Sequence, residues 1–397
     1  MRTRLALAVL ALGVPLVSAP LVTADTAGAD AAAPTAAVDR AAPPALRVRT
    51  LASGLSHAWD VVAMPDGALL MTERNPARLS VVRGTQRTTV AFPTRRIWAE
   101  GETGLMGLAL DTDFAENRRF YTCSGWRRGA AEGGGHDVRV NAWTLSADAT
   151  RARLVGPLVS GFPTTTGRHG GCRLLIAENG ALIVGTGDAA QGRNPRDKDS
   201  LGGKTLRLDP RTGKPWATNP FIGSSNPNRR YVHTYGHRNV QGLAQREDGT
   251  LWSVEHGPDR DDEVNKLRPG GDYGWNPVPG YNESVPMTDR SLPGPQVGAR
   301  WSTGVPTLAT SGADFVRGSR WGAWSGALAV ATLKAEKVVL LRFDARGAFL
   351  GKTVPPALDG RFGRLRTVRA LPGGDLLVCT DGEGDGRLLR VSPVSPS

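Results

Sequence analysis

Chemistry in this chain begins with a histidine set among glycines. His169 stands in GRHGGCRLLI, flanked by Gly167, Gly170 and Gly171, immediately before an apolar run. Glycines let a ligand approach the backbone closely. An imidazole ordinarily titrates near about pH 6.5 and suits general-base work. By residue type alone, however, a turn histidine is more often a structural or surface residue. His233 and His237 form an H-x-x-x-H pair. On a helix that spacing would put both on one face as metal ligands, but Gly236 and the β-branched surroundings argue against a helix. The stretch VEHGPDRDDEVNKLRPGGDYGWNPVPGY, residues 254–281, gathers Asp259, Asp261, Asp262 and Glu263 beside Gly257-Pro258 and Gly270-Gly271. Hard cations such as calcium take carboxylates and backbone carbonyls from irregular loops. The stretch lacks EF-hand spacing, and an acidic loop taken alone is usually just solvated.

These residues need a scaffold, and the rest of the chain predicts an all-β one. Gly (50) and Pro (28) are abundant, and short apolar or β-branched runs alternate with turn residues. One unit recurs: a turn ending in Gly or Asn, then an apolar strand. It reads PDGALLMTER, AENGALIVGTGD, REDGTLWSVEHG and PGGDLLVCTDG, with looser copies AENRRFYTC and WSGALAVATLK. The anchors Gly67, Asn117, Gly180, Gly249, Gly326 and Gly374 recur every roughly 50 to 80 residues, the length of a four-stranded propeller blade with variable loops. Six anchors predict a six-bladed β-propeller over residues 45–393. A blade cannot bury both faces alone, and a closed ring leaves no open edge. ALRVRTL (45–51) and GRLLRVSP (386–393) are both strand-like, and together they can complete one blade. A β-sandwich ranks second, because about 350 residues is long for a single one. The polar residues that follow each copy's strand, among them Glu73, Asp188, Glu255, Lys334 and Asp381, fall at one mouth of the channel. Sites are built there by loops on a rigid scaffold.

The N-terminus has Arg2 and Arg4, an apolar run from Leu5 to Val17 and then Ala-rich sequence, which predicts a secretory signal peptide and flexible segment over residues 1–34. The run is too short to span a bilayer comfortably, and no later one is long enough. The net charge of +12 comes from scattered, Arg-heavy positions without a basic run or a nucleic-acid motif. An anionic cofactor is a better partner for those charges than nucleic acid. Cys123, Cys172 and Cys379 lack CxxC spacing, and an odd count leaves one thiol free. Export permits a Cys123–Cys172 pair between neighbouring blades. The alternative is three small buried hydrophobes.

From about residue 45 to 393 the chain resembles the soluble quinoprotein glucose dehydrogenase and sorbosone (aldose) dehydrogenase family. GLSHAWDVVAMPDGALLMTER, GETGLMGLALDTDF, HGGCRLLIAENGALIVGTGD, GVPTLATSGADFV, ATLKAEKVVLLRFD and GRLRTVRALPGGDLLVCTDG all carry the likeness. Its most specific part is GHRNVQG with EHGPDRDDEVN and GGDYGW, within 236–281. The resemblance implies a six-bladed propeller that binds pyrroloquinoline quinone and calcium. It implies that His169 is the catalytic base, that Arg238 and Asn239 sit beside the quinone oxygens, and that the carbonyls of Gly257 and Pro258 hold the cofactor-bound calcium. Thr307 and Lys334 match cofactor contacts, and Arg364 and Arg366 match a pair facing cofactor carboxylates. Glu102 and Gln191 fall at further cofactor positions. Glu263, the carbonyl of Tyr273 and Glu283 match a second, structural calcium site. The chain departs from the glucose enzymes at Glu102, where they carry Gln, at Arg168, where they carry Asp, and in the spacing after Asp188.

The implied activity is a secreted sugar dehydrogenase that converts an aldose or related alcohol to a lactone and passes electrons to an external acceptor. Two other classes use the same scaffold: a non-catalytic propeller binding module, and a cation-dependent propeller lactonase. Neither explains a cationic set of Lys334, Arg364 and Arg366 together with His169.

Overall fold

A computed structural model describes residues 42–394; the expected signal peptide and N-terminal segment lie outside the described residues. The chain forms six four-stranded antiparallel sheets. Blade 1 has strands Ala58–Ala63, Leu69–Glu73, Arg78–Arg83 and Gln86–Thr89, and blade 2 has Leu105–Leu110, Arg119–Arg127, His136–Leu145 and Ala152–Phe162. Blade 3 has Gly171–Ile176, Leu182–Thr186, Lys204–Leu208 and Val232–Tyr235, and blade 4 has Val240–Gln245, Leu251–Glu255, Glu263–Lys266 and Trp301–Ser302. Blade 5 has Thr310–Phe315, Leu328–Thr332, Val338–Phe343 and Phe349–Thr353. Blade 6 takes Leu365–Ala370, Leu376–Thr380 and Glu383–Val394 from the C-terminal end, and Ala45–Ser56 from the other end of the domain. The inner strand of each blade touches the inner strand of the next, and the sixth returns to the first. The result is a six-bladed β-propeller.

The repeat anchors have a local cause. Each falls in the turn between the first and second strands of its blade. At Gly67, Gly180, Gly249 and Gly374 the amide donates back across a tight turn, and φ lies between 78° and 85°. A side chain is strained in that region, and glycine is not. In blade 2 the left-handed residue is Arg118, one place after Asn117. The apolar strands have an equally direct cause. Six buried clusters occupy the six interfaces between blades, for example Tyr121, Val140, Leu174 and Val184 between blades 2 and 3. Both faces of a middle blade strand are therefore buried, and alternation disappears.

Cys123 in blade 2 and Cys172 in blade 3 form a disulfide across one of these interfaces, while Cys379 is a buried free thiol. The bond closes a loop of 49 residues. Replacing both cysteines by serine is expected to lower unfolding free energy by about 2–4 kcal/mol. Urea titration of the oxidised protein and the double variant measures the difference.

Charges plug the ring where the inner strands converge. Asp60 of blade 1 is fully buried and meets Arg173 of blade 3 at 2.9 Å and Arg369 of blade 6 at 2.8 Å. Arg173 also lies over the Trp59 ring at 4.0 Å and donates to the Gln241 carbonyl at 2.7 Å. Three blades are thereby tied through one carboxylate.

Candidate active site

A cavity of about 400 Å³ opens among the loops that enter successive blades and those that follow their second strands. Eight expected residues line it: Glu102, His169, Arg238, Gly257, Pro258, Thr307, Lys334 and Arg364. They arrive from seven inter-strand connections, which is why they are scattered in sequence but close in space.

His169 sits just ahead of the inner strand of blade 3 with φ of +55°, a left-handed conformation that a side chain holds only under constraint. Two contacts supply the constraint. Its amide donates to Oε2 of Glu102 at 3.0 Å. Its carbonyl packs so closely on Gly187 that a Cβ there would lie 1.8 Å away. Glu102, which replaces the glutamine of the glucose enzymes, thus has a backbone task. The imidazole is 3% exposed. Its Nδ1 lies 2.8 Å from Oδ1 of Asp188, which follows the second strand of the same blade. Asp188 is itself fixed by the Trp275 indole at 2.8 Å, the Tyr281 hydroxyl at 2.8 Å and the Ala190 amide at 2.8 Å. The carboxylate that the glucose enzymes place before the base is absent, because Arg168 stands there, and Asp188 orients the ring. Nε2 has no hydrogen-bond partner among the described residues and is left for a ligand.

Positive charge surrounds this base. Arg238 donates to the His256 carbonyl at 3.1 Å and to Glu283 at 2.5 Å, and its buried Nε has no partner. Lys334 lines the wall, and half-exposed Arg364 reaches Asp381 only at 3.7 Å. His256 also lines the cavity with Nε2 unpartnered. Burial first, and then Arg366 and Arg238, hold its pKa well below the ordinary imidazole value, so it is neutral. The Gly257–Pro258 turn is shaped by Asp262, whose carboxylate accepts from the amides of Gly257 at 3.0 Å and Leu308 at 2.7 Å. Gly257 lies so close to the Arg260 carbonyl that no Cβ fits.

Other expected residues lie elsewhere. Arg366 is buried behind the wall, donating to Asp381 at 2.6 Å and to Gln241 at 3.0 Å, so Arg364 alone of that pair lines the cavity. Asn239 is buried and accepts from the amide of Gly171 at 3.1 Å, with Glu102 3.5 Å from its amide nitrogen. Gln191 lines a separate cleft with Asn194, Asn276 and Pro279, because the loop after Asp188 turns outward. Glu283 is not brought to Glu263; it bridges Arg168 and Arg238 beside the base. Burial opposes its ionisation, but the two arginines outweigh it and hold the carboxyl below its ordinary value. Glu263 is buried and paired in register with Glu255. Burial and then Glu255 push it up to about 8. Two dry, adjacent carboxylates suit a hard cation. Among the described residues no group of three His, Cys, Asp or Glu side chains is placed to hold a metal. Any cation here therefore depends on backbone carbonyls. Tyr273 stacks on His237 at 4.5 Å and donates its hydroxyl to the Lys266 carbonyl. His233 and His237 lie on and just after a strand, with His237 engaged by Glu255 at 2.8 Å, so they form no metal pair.

Fold and site together define a propeller with a carboxylate-oriented histidine facing a cationic axial cavity. The Glucose / Sorbosone dehydrogenase family model matches residues 55–390. The chain belongs to that family. It is 30% identical over 362 residues to the aldose sugar dehydrogenase YliI of Escherichia coli K12, covering 89% of this chain and 94% of that protein. The structure of the PQQ-bound form of aldose sugar dehydrogenase from Streptomyces coelicolor superposes with a TM-score of 0.73 at 28% identity, over 88% of this chain and 99% of the other. The apo-form of the soluble aldose sugar dehydrogenase from Escherichia coli gives 0.76 at 29% identity, over 88% and 100%.

Proposed function

We propose that this protein is an exported oxidoreductase that oxidises the anomeric hydroxyl of an aldose, or a related alcohol, to a lactone with pyrroloquinoline quinone and calcium. One observation carries the reading: the His169–Asp188 pair presents Nε2 to a cavity ringed by Arg238, Lys334 and Arg364. The relative from Streptomyces coelicolor binds the same quinone. A cavity lined by Arg238, Lys334 and Arg364, with orphaned nitrogens on Arg238 and His256, fits a planar tricarboxylate. Lys334 and Arg364 would hold its carboxylates, Arg238 would stand beside its carbonyls, and Thr307 would close one side, while buried Asn239 would act from behind the wall by holding the Gly171 amide. The carbonyls of Gly257 and Pro258 would hold its calcium. When bound, the quinone supplies the two-electron hydride acceptor, and the calcium polarises it as a Lewis acid.

The chain's own residues supply placement and proton transfer. Nε2 of His169 takes the proton of the anomeric hydroxyl as the hydride leaves the carbon, and Asp188 stabilises the imidazolium that forms. An external acceptor would take up the electrons in turn. The inter-blade disulfide supports export into an oxidising compartment.

Reconstitution with the quinone and calcium, followed by an aldose panel with dye reduction and lactone detection, tests the reading. Quinone-dependent turnover is expected. Lactone hydrolysis without quinone supports a lactonase instead, and quinone-independent sugar binding without turnover supports a binding module. Lys334→Ala and Arg364→Ala are each expected to weaken quinone binding by roughly tenfold or more, read by tryptophan-fluorescence titration.

A further inference from the structure

Tyr281 lies in the long excursion between the third and fourth strands of blade 4. Its hydroxyl is 2.8 Å from Oδ2 of Asp188 and 3.0 Å from Nδ1 of His169. Asp188 meets the same Nδ1 through Oδ1, so the three groups close a ring of contacts. A phenol has one proton, and a carboxylate only accepts. The proton therefore goes to Asp188, and the phenol turns a lone pair toward His169. Both neighbours of Nδ1 are then acceptors. Nδ1 must carry the hydrogen, and the basic lone pair is confined to Nε2.

Arg168 holds the phenol in place. Its guanidinium lies 5.5 Å from the Tyr281 ring centroid, within cation–π range. Glu283 grips that guanidinium with both oxygens, at 2.8 and 2.7 Å, and Arg238 holds Glu283 from the other side. The residue that departs from the glucose enzymes thus belongs to a clamp over the dyad. We propose that Tyr281 is a positioning residue that fixes His169 in the Nδ1–H tautomer, with the Arg168–Glu283 pair holding the phenol over the dyad. This rests on His169 being the base of the proposed dehydrogenation.

Tyr281→Phe removes one oxygen and keeps the ring under Arg168. In the reconstituted protein kcat is expected to fall roughly tenfold or more, with KM and quinone affinity unchanged. In protein labelled with ¹⁵N-histidine, free of cofactor and substrate, the His169 resonances are assigned by their loss in His169→Gln. They are expected to report a single Nδ1–H tautomer in the parent protein and a mixture in Tyr281→Phe. Arg168→Lys, which keeps a cation over the ring, is expected to retain the single tautomer. An unchanged tautomer in Tyr281→Phe overturns the proposal whatever happens to turnover, and so does a loss confined to KM. Because the tautomer is read without catalysis, an inactive parent protein counts against the dehydrogenase reading and leaves the positioning result standing.

Discussion

His169→Ala is expected to lower kcat of the reconstituted enzyme by roughly 10²–10⁴-fold, the contribution of a well-placed general base. The groups around the site explain why no neighbour takes over. His256 has a free Nε2 on the same cavity, but burial and two arginines suppress its affinity for a proton. Glu102 is committed to the His169 amide, and Glu283 to two arginines. Quinone affinity is expected to hold, because Lys334, Arg364 and Arg238 are untouched. Thermal unfolding is expected to shift little, since Asp188 keeps its contacts with Trp275, Tyr281 and Ala190. Steady-state kinetics beside a quinone titration makes the separation, and turnover equal to the parent protein removes His169 from its role.

The largest effect on stability is expected at Asp60. Asp60→Ala strands Arg173 and Arg369 at the buried centre of the ring, and breaking a buried ion cluster in this way costs about 3–5 kcal/mol. The same carboxylate predicts an acid response. Burial works against its charge, but Arg173 and Arg369 outweigh it and hold its pKa below the ordinary aspartate value. The unfolded chain therefore takes up a proton at higher pH than the folded one. The contribution of Asp60 is fully present above about pH 4 and is lost as pH falls through the folded value. Urea titrations at pH 7 and at successively lower pH are expected to show the gap between parent and Asp60→Ala narrowing on acidification. A gap that stays constant would show that the carboxylate does not titrate with unfolding.

What could be read from sequence followed a physical division. The six turns were legible because a left-handed position selects glycine or follows asparagine, and Gly67 or Gly249 marks the chain whatever lies nearby. Residues that line the cavity from loops, such as Gly257, Lys334 and His169, were legible through the resemblance, since their types serve a ligand. Trp275 acts through Asp188, and Tyr281 through Asp188 and Nδ1 of His169, from a segment roughly ninety residues further on, and nothing local marks them. Asp60, Arg173 and Arg369 look like ordinary polar positions in strands, and only ring closure makes them partners. The resemblance placed Glu283 at a calcium site, yet the structure pairs it with Arg168 and Arg238. Gln191 lines a different cleft, because the loop after Asp188 has its own length and course.

The sixth blade carries a consequence for how this protein is made. Ala45 pairs with Val394 and Thr50 with Leu389, so this strand meets its neighbour only after the other five blades have been synthesised. Until then blade 6 cannot form, and blade 1 has no partner on that side. Contacts this distant in sequence form slowly and leave strand edges open to other chains. The nascent protein thus passes through a long interval as an open arc with two adhesive ends. Holding those ends apart is a task for whatever accompanies it during synthesis, and a chain cut short of residue 383 would remain such an arc for good.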